Sequence, residues 1–310
     1  MNLERSVLIC DQVNPIIKEI LEKNGLKVTY EPEITPEQLG EKIGMYEVVV
    51  VRSRTKLGRE LITKADKCQI IARVGVGLDN IDEEAAKEKN IRVINAVEGA
   101  ITAVAELVIG LMLSMAREIP RADREIRNGN WIKKELMGSE LKGKYLGIVG
   151  LGNIGKRLGR LARALNMNII GYDVIPIDEE FSKEVGLMKA DLDTLLSSSD
   201  FVSLHVPLLD STRHMINAEK LATMKKSARI INTSRGGIID EDALYNALKE
   251  GNLAGAALDV FETEPPIGSK LTSLPNFILT PHIGAQTKEA QLLAANIIAE
   301  KIIQVIRGII

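Results

Sequence analysis

The sequence predicts an α/β protein built from two doubly wound parallel-sheet domains. Three observations carry this. Short apolar runs recur along the chain between polar or glycine-rich turns, as buried parallel strands require. Segments with helical apolar spacing lie between them, the alternation expected of βαβ units. The run Tyr145–Val149 leads straight into Gly150-Leu151-Gly152-Asn153-Ile154-Gly155, then into a helical face of Ile154, Leu158, Leu161, Ala162 and Leu165. A second run, Asn168–Tyr172, ends on Asp173.

That last unit has the layout of a dinucleotide fingerprint. Gly150 permits the tight turn, Gly152 lets a pyrophosphate reach the backbone, and Gly155 lets helix and strand pack closely. The free N–H groups at the helix start face the phosphates. Asp173, about 20 residues past the glycines, is placed to accept from ribose hydroxyls. Its charge opposes a ribose phosphate, which favours NAD over NADP. The plain alternative is a glycine turn that only packs a helix.

The rest of the composition narrows the class. The chain has 310 residues and a formal net charge of −2, with no basic stripe of the kind nucleic acid selects. No apolar run reads as long enough to span a bilayer, and the start of the chain lacks a signal-peptide layout. The expectation is a cytoplasmic enzyme without a metal. Cys10 and Cys68 sit in apolar runs and read as core residues.

Residues 1–97 read as alternating strands and helices, with strands at Ser6–Cys10, Lys27–Tyr30, Glu47–Val51, Ile70–Arg73 and Ile91–Ile94. Ligands of open α/β sheets bind outside the carboxyl ends of the strands. Arg52, Arg54 and the Gly75-Val76-Gly77 turn stand at such ends. A helix over Ile101–Arg117 follows, separated from the first part by a loop containing Gly99. Its apolar majority suggests a subunit interface or a core helix. Glu106 lies among its apolar residues and needs a partner if buried. A basic segment, Arg121 to Lys134, carries the only tryptophan, Trp131.

Strands then recur at Phe201–His205, Ala228–Asn232, Gly255–Asp259 and Phe277–Thr280. The closing helix, about Lys288 to Arg307, is apolar on most sides and is expected to return to the first domain. The expected layout is therefore a Rossmann-type domain over 98–286, inserted in a discontinuous flavodoxin-like domain of 1–97 and 287–310.

Arg235, Glu264 and His282 each follow a strand on the cofactor side. With three histidines in the chain, His205, His214 and His282, the search for an acid/base is short. A carboxylate beside an imidazole orients the ring, and a guanidinium offers a planar fork for a substrate carboxylate. Such a set beside a nicotinamide suits oxidation of a 2-hydroxy acid. Taken singly, each residue also fits a plain loop or surface role.

The residues now on the page resemble the D-isomer-specific 2-hydroxyacid dehydrogenase family. The markers are GLGNIG (150–155), HVPLLDSTRHMIN (205–217), NTSRGGIIDEDAL (232–244), AGAALDVFETEPP (254–266) and TPHIGAQTKEA (280–290), with RSRTKL (52–57) and RVGVGLDNID (73–82) in the first half. The resemblance implies that His282 takes the hydroxyl proton, Glu264 orients His282, and Arg235 holds the substrate carboxylate. It implies NAD contacts at Gly150, Gly152, Asn153, Ile154, Gly155, Asp173, His205, Val206, Pro207, Thr233, Ser234, Arg235, Asp259, His282, Gly284 and Ala285. Gly75, Val76 and Gly77 fall where backbone N–H groups meet the substrate, and Arg52 and Arg54 where its phosphate sits. Residues 136–152 and the RSRT cluster are most similar to members that oxidise 3-phosphoglycerate in serine synthesis. Members acting on glyoxylate, hydroxypyruvate or D-lactate are the alternatives, and an NADH-sensing corepressor on the same fold is a remote one.

Two departures stand out. Members commonly carry Gly-Asn-Thr where this chain has Gly99-Ala100-Ile101, so a substrate-side amide is missing. The sequence also lacks the C-terminal regulatory region of longer members, which implies no serine feedback through it. The resemblance further implies a homodimer through the cofactor domain.

Overall fold

The computed structural model describes residues 5–309. The strands are β1 (Ser6–Ile9), β2 (Lys27–Tyr30), β3 (Val48–Val51), β4 (Ile70–Arg73), β5 (Arg92–Asn95), β6 (Tyr145–Val149), β7 (Asn168–Tyr172), β8 (Met188–Lys189), β9 (Phe201–Leu204), β10 (Arg229–Asn232), β11 (Gly255–Leu258) and β12 (Phe277–Leu279). The helices are α1 (Ile16–Lys23), α2 (Pro36–Lys42), α3 (Arg59–Thr63), α4 (Glu83–Glu88), α5 (Ile101–Ala116), α6 (Ile119–Arg127), α7 (Asn153–Ala164), α8 (Glu179–Val185), α9 (Leu192–Ser198), α10 (Ala218–Thr223), α11 (Glu241–Lys249) and α12 (Lys288–Ile306). The chain forms two compact units, one of Met1–Ile101 with Ala285–Ile310, the other of Thr102–Gly284.

The first unit holds a five-stranded sheet in the order β2-β1-β3-β4-β5, all neighbours parallel. This is the flavodoxin-like doubly wound order. Its strands are short because both faces are covered and every side chain of Val48–Val51 is buried. One face packs Val7, Ile9, Val48, Val50 and Ile70 against Ala294, Ala295, Ile298, Ala299 and Ile302 of α12. The closing helix thus completes the core of the sheet with which the chain begins. Gly99 is required here, because a Cβ would sit 2.9 Å from that of Ala294. Cys10 and Cys68 are buried and unpaired, and burial pushes the Cys68 thiol up to about 12.

The second unit holds a seven-stranded sheet, β12-β11-β10-β9-β6-β7-β8, also wholly parallel. Its order reverses between β6 and β9, the Rossmann switch point where such sheets bind nucleotides. Most helix starts are capped by a side chain: Thr35, Asp82, Asp178, Asp191, Asn217, Asp240 and Thr287 each accept an N–H from the first turn. Helix α7 begins at Gly152 with no side-chain cap.

Three expectations need correction. Val97–Ala100 is a 3₁₀ turn that runs straight into α5, so no loop breaks the chain at Gly99. The resulting helix, Val97–Ala116, has 20 residues and is apolar enough to cross a membrane by length and composition. Its Ala105, Val108, Met112 and Ala116 instead pack against Leu146, Ile148 and Ile169 of the sheet, the place of a core helix. Glu106 is exposed and needs no buried partner. Within the basic segment, α6 ends at Arg127 and Trp131 is left 79% exposed.

Ile298 is fully buried between α12 and the first sheet. Ile298→Ala is expected to lower stability by about 2–4 kcal/mol in urea unfolding followed by circular dichroism. A loss below about 1 kcal/mol would show that this layer closes over the gap.

Candidate active site

The glycine turn after β6 is shaped by close approaches. Gly150 has φ +94°, and a Cβ there would lie 2.7 Å from the carbonyl oxygen of His205. A Cβ on Gly155 would lie 2.1 Å from the Gly150 carbonyl oxygen. At Gly152 a Cβ would meet nothing within 4 Å, so open space lies ahead of α7. Asn153 is exposed at the first position of that helix and Ile154 is partly buried. The uncapped N–H groups and the open space suit a pyrophosphate. Asp173 braces the turn, accepting from Leu151 N–H at 2.7 Å and Ile175 N–H at 3.0 Å.

Across the switch point, Val206 and Pro207 follow β9, and the Thr212 hydroxyl donates to the Pro207 carbonyl at 2.6 Å. Thr233 follows β10 and is 8% exposed, yet its hydroxyl has no partner among the described residues. A buried hydroxyl in that state at a strand end is a group that a polar ligand satisfies. Ser234 turns back, its N–H and hydroxyl donating to Asn232 Oδ1 at 3.0 and 2.7 Å. The turn thereby presents Arg235, whose Nη1 donates to the Ser234 carbonyl at 2.7 Å.

The acid/base pair forms at the next two strand ends. His282 Nδ1 lies 2.9 Å from Glu264 Oε2, and Glu264 Oε1 accepts from the Phe261 N–H at 3.2 Å. One carboxylate thus ties the ring to its own loop. With Nδ1 donating to Glu264, Nε2 is the nitrogen left to exchange a proton. The His282 side chain is 50% exposed, so a substrate can reach it.

Asp259 holds this arrangement from behind. It is fully buried and accepts from Thr280 Oγ1 at 2.5 Å, Ile283 N–H at 2.8 Å and Gly284 N–H at 2.8 Å. Its backbone carbonyl accepts from the His282 N–H at 2.9 Å. These bonds hold His282 at φ +53°. Expected as a cofactor contact, Asp259 stands inside the loop and serves to fix it. Ala285 begins the second segment of the first unit, and its carbonyl accepts from Gln291 Nε2 at 2.7 Å.

In the first unit a parallel device appears. Asp11, just past β1 and 2% exposed, accepts from Arg52 N–H at 2.5 Å, Thr55 N–H at 3.2 Å and Thr55 Oγ1 at 2.6 Å. Arg54 pairs with Asp11 at 3.1 Å and donates to the carbonyls of Cys10, Pro32 and Ile34 at 2.5, 2.7 and 3.1 Å. Expected to meet a phosphate, Arg54 is instead a structural cross-link. No hydrogen bond or ion pair engages the Arg52 guanidinium among the described residues, and burial lowers its pKa while Asp11 raises it. Asn80 Nδ2 ties the same loop through the carbonyls of Arg52 and Thr55 at 2.8 and 2.6 Å.

Gly75, at φ +149°, lies over Arg73, where a Cβ would come 2.3 Å from the guanidinium. Asn95 Nδ2 donates to the Val76 carbonyl at 2.6 Å, and Gly77 is partly buried beside it. Reading by motif missed Asp11, Asn80 and Arg73. Asp11 directly follows an apolar strand, a position that would have flagged it.

The family described as D-isomer specific 2-hydroxyacid dehydrogenase, NAD binding domain, matches residues 109–284. The chain belongs to this family. Residues 109–284 are its NAD binding domain, and they carry the glycine turn, Arg235, Glu264 and His282. The D-3-phosphoglycerate dehydrogenase of Methanocaldococcus jannaschii is 49% identical over 97% of this chain. The chain spans 57% of that relative's length. The hydroxypyruvate reductase of Thermotoga maritima is 47% identical over 93% of this chain and 95% of its own length. The structure of Aquifex aeolicus D-lactate dehydrogenase complexed with NAD and lactic acid is 28% identical, with a TM-score of 0.86 over 98% of this chain and 96% of that one.

His205 differs from His282. Its backbone carbonyl lies against Gly150, its Nε2 is 2.9 Å from Ser203 Oγ, and burial lowers its pKa to about 4. The folded value lies below the ordinary value of about 6.5, so protons favour the unfolded chain. The stability tied to His205 is complete above about pH 6.5 and is lost as the pH falls toward 4. His205→Gln is expected to remove about 1–2 kcal/mol of acid destabilisation at pH 5, measured as the urea midpoint at pH 5 against pH 7. Equal midpoint changes in both proteins would rule this out.

Proposed function

We propose that this chain is an NAD-dependent dehydrogenase that oxidises D-3-phosphoglycerate at C2, giving 3-phosphohydroxypyruvate for L-serine synthesis. The observation that carries it is the His282–Glu264 pair at 2.9 Å, in the same NAD binding domain as Arg235. NAD, when bound, accepts the hydride from C2. His282 Nε2 takes the proton of the C2 hydroxyl. Glu264 keeps Nδ1–H donating and stabilises the imidazolium that results. Arg235 holds the substrate carboxylate and polarises the oxygen on C2. The backbone at Gly150–Gly155 and the Thr233 hydroxyl hold the dinucleotide, with Asp173 on its ribose.

Within this reading, the N–H groups of Gly75–Gly77 receive the carboxylate and Arg52 the phosphate. The name of the Methanocaldococcus jannaschii relative supports the phosphorylated substrate, as does a partly buried guanidinium at a strand end with no hydrogen-bond partner among the described residues. Reduction of hydroxypyruvate is the second reading, favoured by a reductase matched over nearly its full length. It uses the same residues in reverse and leaves Arg52 idle. A cytoplasmic homodimer belongs to this proposal. Leu113 on α5 and Ile119 and Ile126 on α6 are 39%, 50% and 54% exposed, an apolar strip that a second copy would cover.

His282→Asn is expected to lower turnover by about 10³-fold or more while NADH still binds, read by NADH fluorescence. Residual turnover within tenfold of the parent would remove His282 as the base. Arg52→Ala is expected to raise KM for the phosphorylated substrate about tenfold more than KM for hydroxypyruvate. Equal effects on both would favour the reductase reading.

A further inference from the structure

Glu262 lies two residues before Glu264 and takes no part in the His282–Glu264 pair, yet its N–H and its Oε1 are both engaged. Its Oε1 accepts from the N–H of Glu241, the first residue of α11, at 3.2 Å. The same oxygen stands 3.1 Å from His214 Nε2. In return the Glu262 N–H donates to Glu241 Oε1 at 2.7 Å. The two glutamates form a reciprocal clasp between loops, with the logic of a capping box carried out across tertiary structure. Glu262 also brings negative charge to the start of α11, where the helix dipole favours it.

The backbone beneath the clasp is equally close. A Cβ on Gly236 would lie 1.9 Å from the Phe261 carbonyl oxygen, so the loop with Arg235 and the loop with Glu264 touch main chain to main chain. His214 reaches the clasp from a third loop. Its N–H donates to the Gly237 carbonyl at 2.7 Å, and its φ of +50° is one that a non-glycine residue holds only when its surroundings enforce it. The connections after β9, β10 and β11 therefore meet at one carboxylate, and the last two carry Arg235 and Glu264.

We infer that Glu262 is a positioning residue for hydride transfer: by clasping Glu241 and His214 it sets the Phe261–Glu264 turn so that Glu264 stays bonded to His282 Nδ1. This rests on the proposed function for its kinetic consequence, but not for its structural one. The Phe261 N–H that holds Glu264 Oε1 is adjacent in sequence to Glu262, so a loosened Glu262 moves the group that orients the catalytic carboxylate. The charged groups against Glu262 are His214 and Glu241, and Asp242 acts on Glu241 from the same helix start.

The test compares Glu262→Ala, Glu262→Gln and Glu264→Gln in the full chain. The chain has three histidines, so ¹⁵N spectra of the imidazoles resolve His282 without any ligand. Glu264→Gln alters the His282 tautomer signals directly. Glu262→Ala is expected to move those signals in the same direction, and Glu262→Gln, which keeps an acceptor oxygen, to restore them. In turnover, Glu262→Ala is expected to lose about tenfold in kcat with KM for NAD within about twofold. Unchanged His282 signals in Glu262→Ala overturn the inference, even if its melting temperature falls, since that is the outcome of a purely structural cap. Should Glu262→Ala not fold, Glu262→Asp, which withdraws the carboxylate by one methylene, takes the same readouts. Absence of turnover in the unaltered chain would defeat the proposed function and leave the imidazole spectra to decide this point.

Discussion

The fold of this protein depends on one recurring interaction: a carboxylate at the carboxyl end of one strand receives the N–H groups of the loop that follows its neighbour. Asp11 after β1 holds Arg52 and Thr55 after β3. Asp173 after β7 holds Leu151 after β6. Asp259 after β11 holds Ile283 and Gly284 after β12. Each pair of strands is adjacent and parallel, so their carboxyl ends lie at the same edge. A carboxylate there can satisfy a turn that has left the ladder and would otherwise have unpaired N–H groups. The cost of burying Asp11 and Asp259 is offset because several donors converge on each.

That device leaves some groups committed and others available, and the division marks the site. Among the described residues seven helix starts are closed by a capping side chain, whereas α7 opens on Gly152 with space ahead of it. The loop of His282 is fixed at its backbone by Asp259 and at its ring by Glu264. An imidazole held from two sides keeps its orientation, so a proton exchanged at its free nitrogen needs little reorganisation. Arg52 and Arg54 show the same division in the first unit. They stand two residues apart, yet the guanidinium of one is tied to five protein oxygens and that of the other to none among the described residues.

All the strands but β8 were legible in the sequence nearly to the residue, because strands buried on both faces are short apolar runs with sharp polar ends, whereas the two exposed residues of β8 leave no such run. The glycine turn was legible for a similar reason: the spacing of Gly150, Gly152 and Gly155 answers to contacts within one βαβ unit. The Arg235, Glu264 and His282 set was legible because each side chain follows a strand end. Local pattern was less informative for α5. A helix that is apolar on most faces reads equally as membrane span, core or interface, and the side on which Glu106 lies depends on which stripe meets the sheet. The loop cross-links of Arg54 were not legible, because a strand-end arginine has the same sequence context whether it awaits an anion or cross-links a loop.

By itself, the sequence determined the alternation of strands and helices, the dinucleotide turn with its acidic residue, and the strand ends after which Arg235, Glu264 and His282 lie. These are properties of contiguous segments, where spacing along the chain dictates geometry. Tertiary structure alone decided the strand orders, the return of α12 to the first sheet, the roles of Asp11 and Asp259, and the clasp of Glu241 with Glu262 and His214. Each of those joins groups far apart in the chain, and the donor that meets a given carboxylate is known only once parallel strands have brought their loops to one edge.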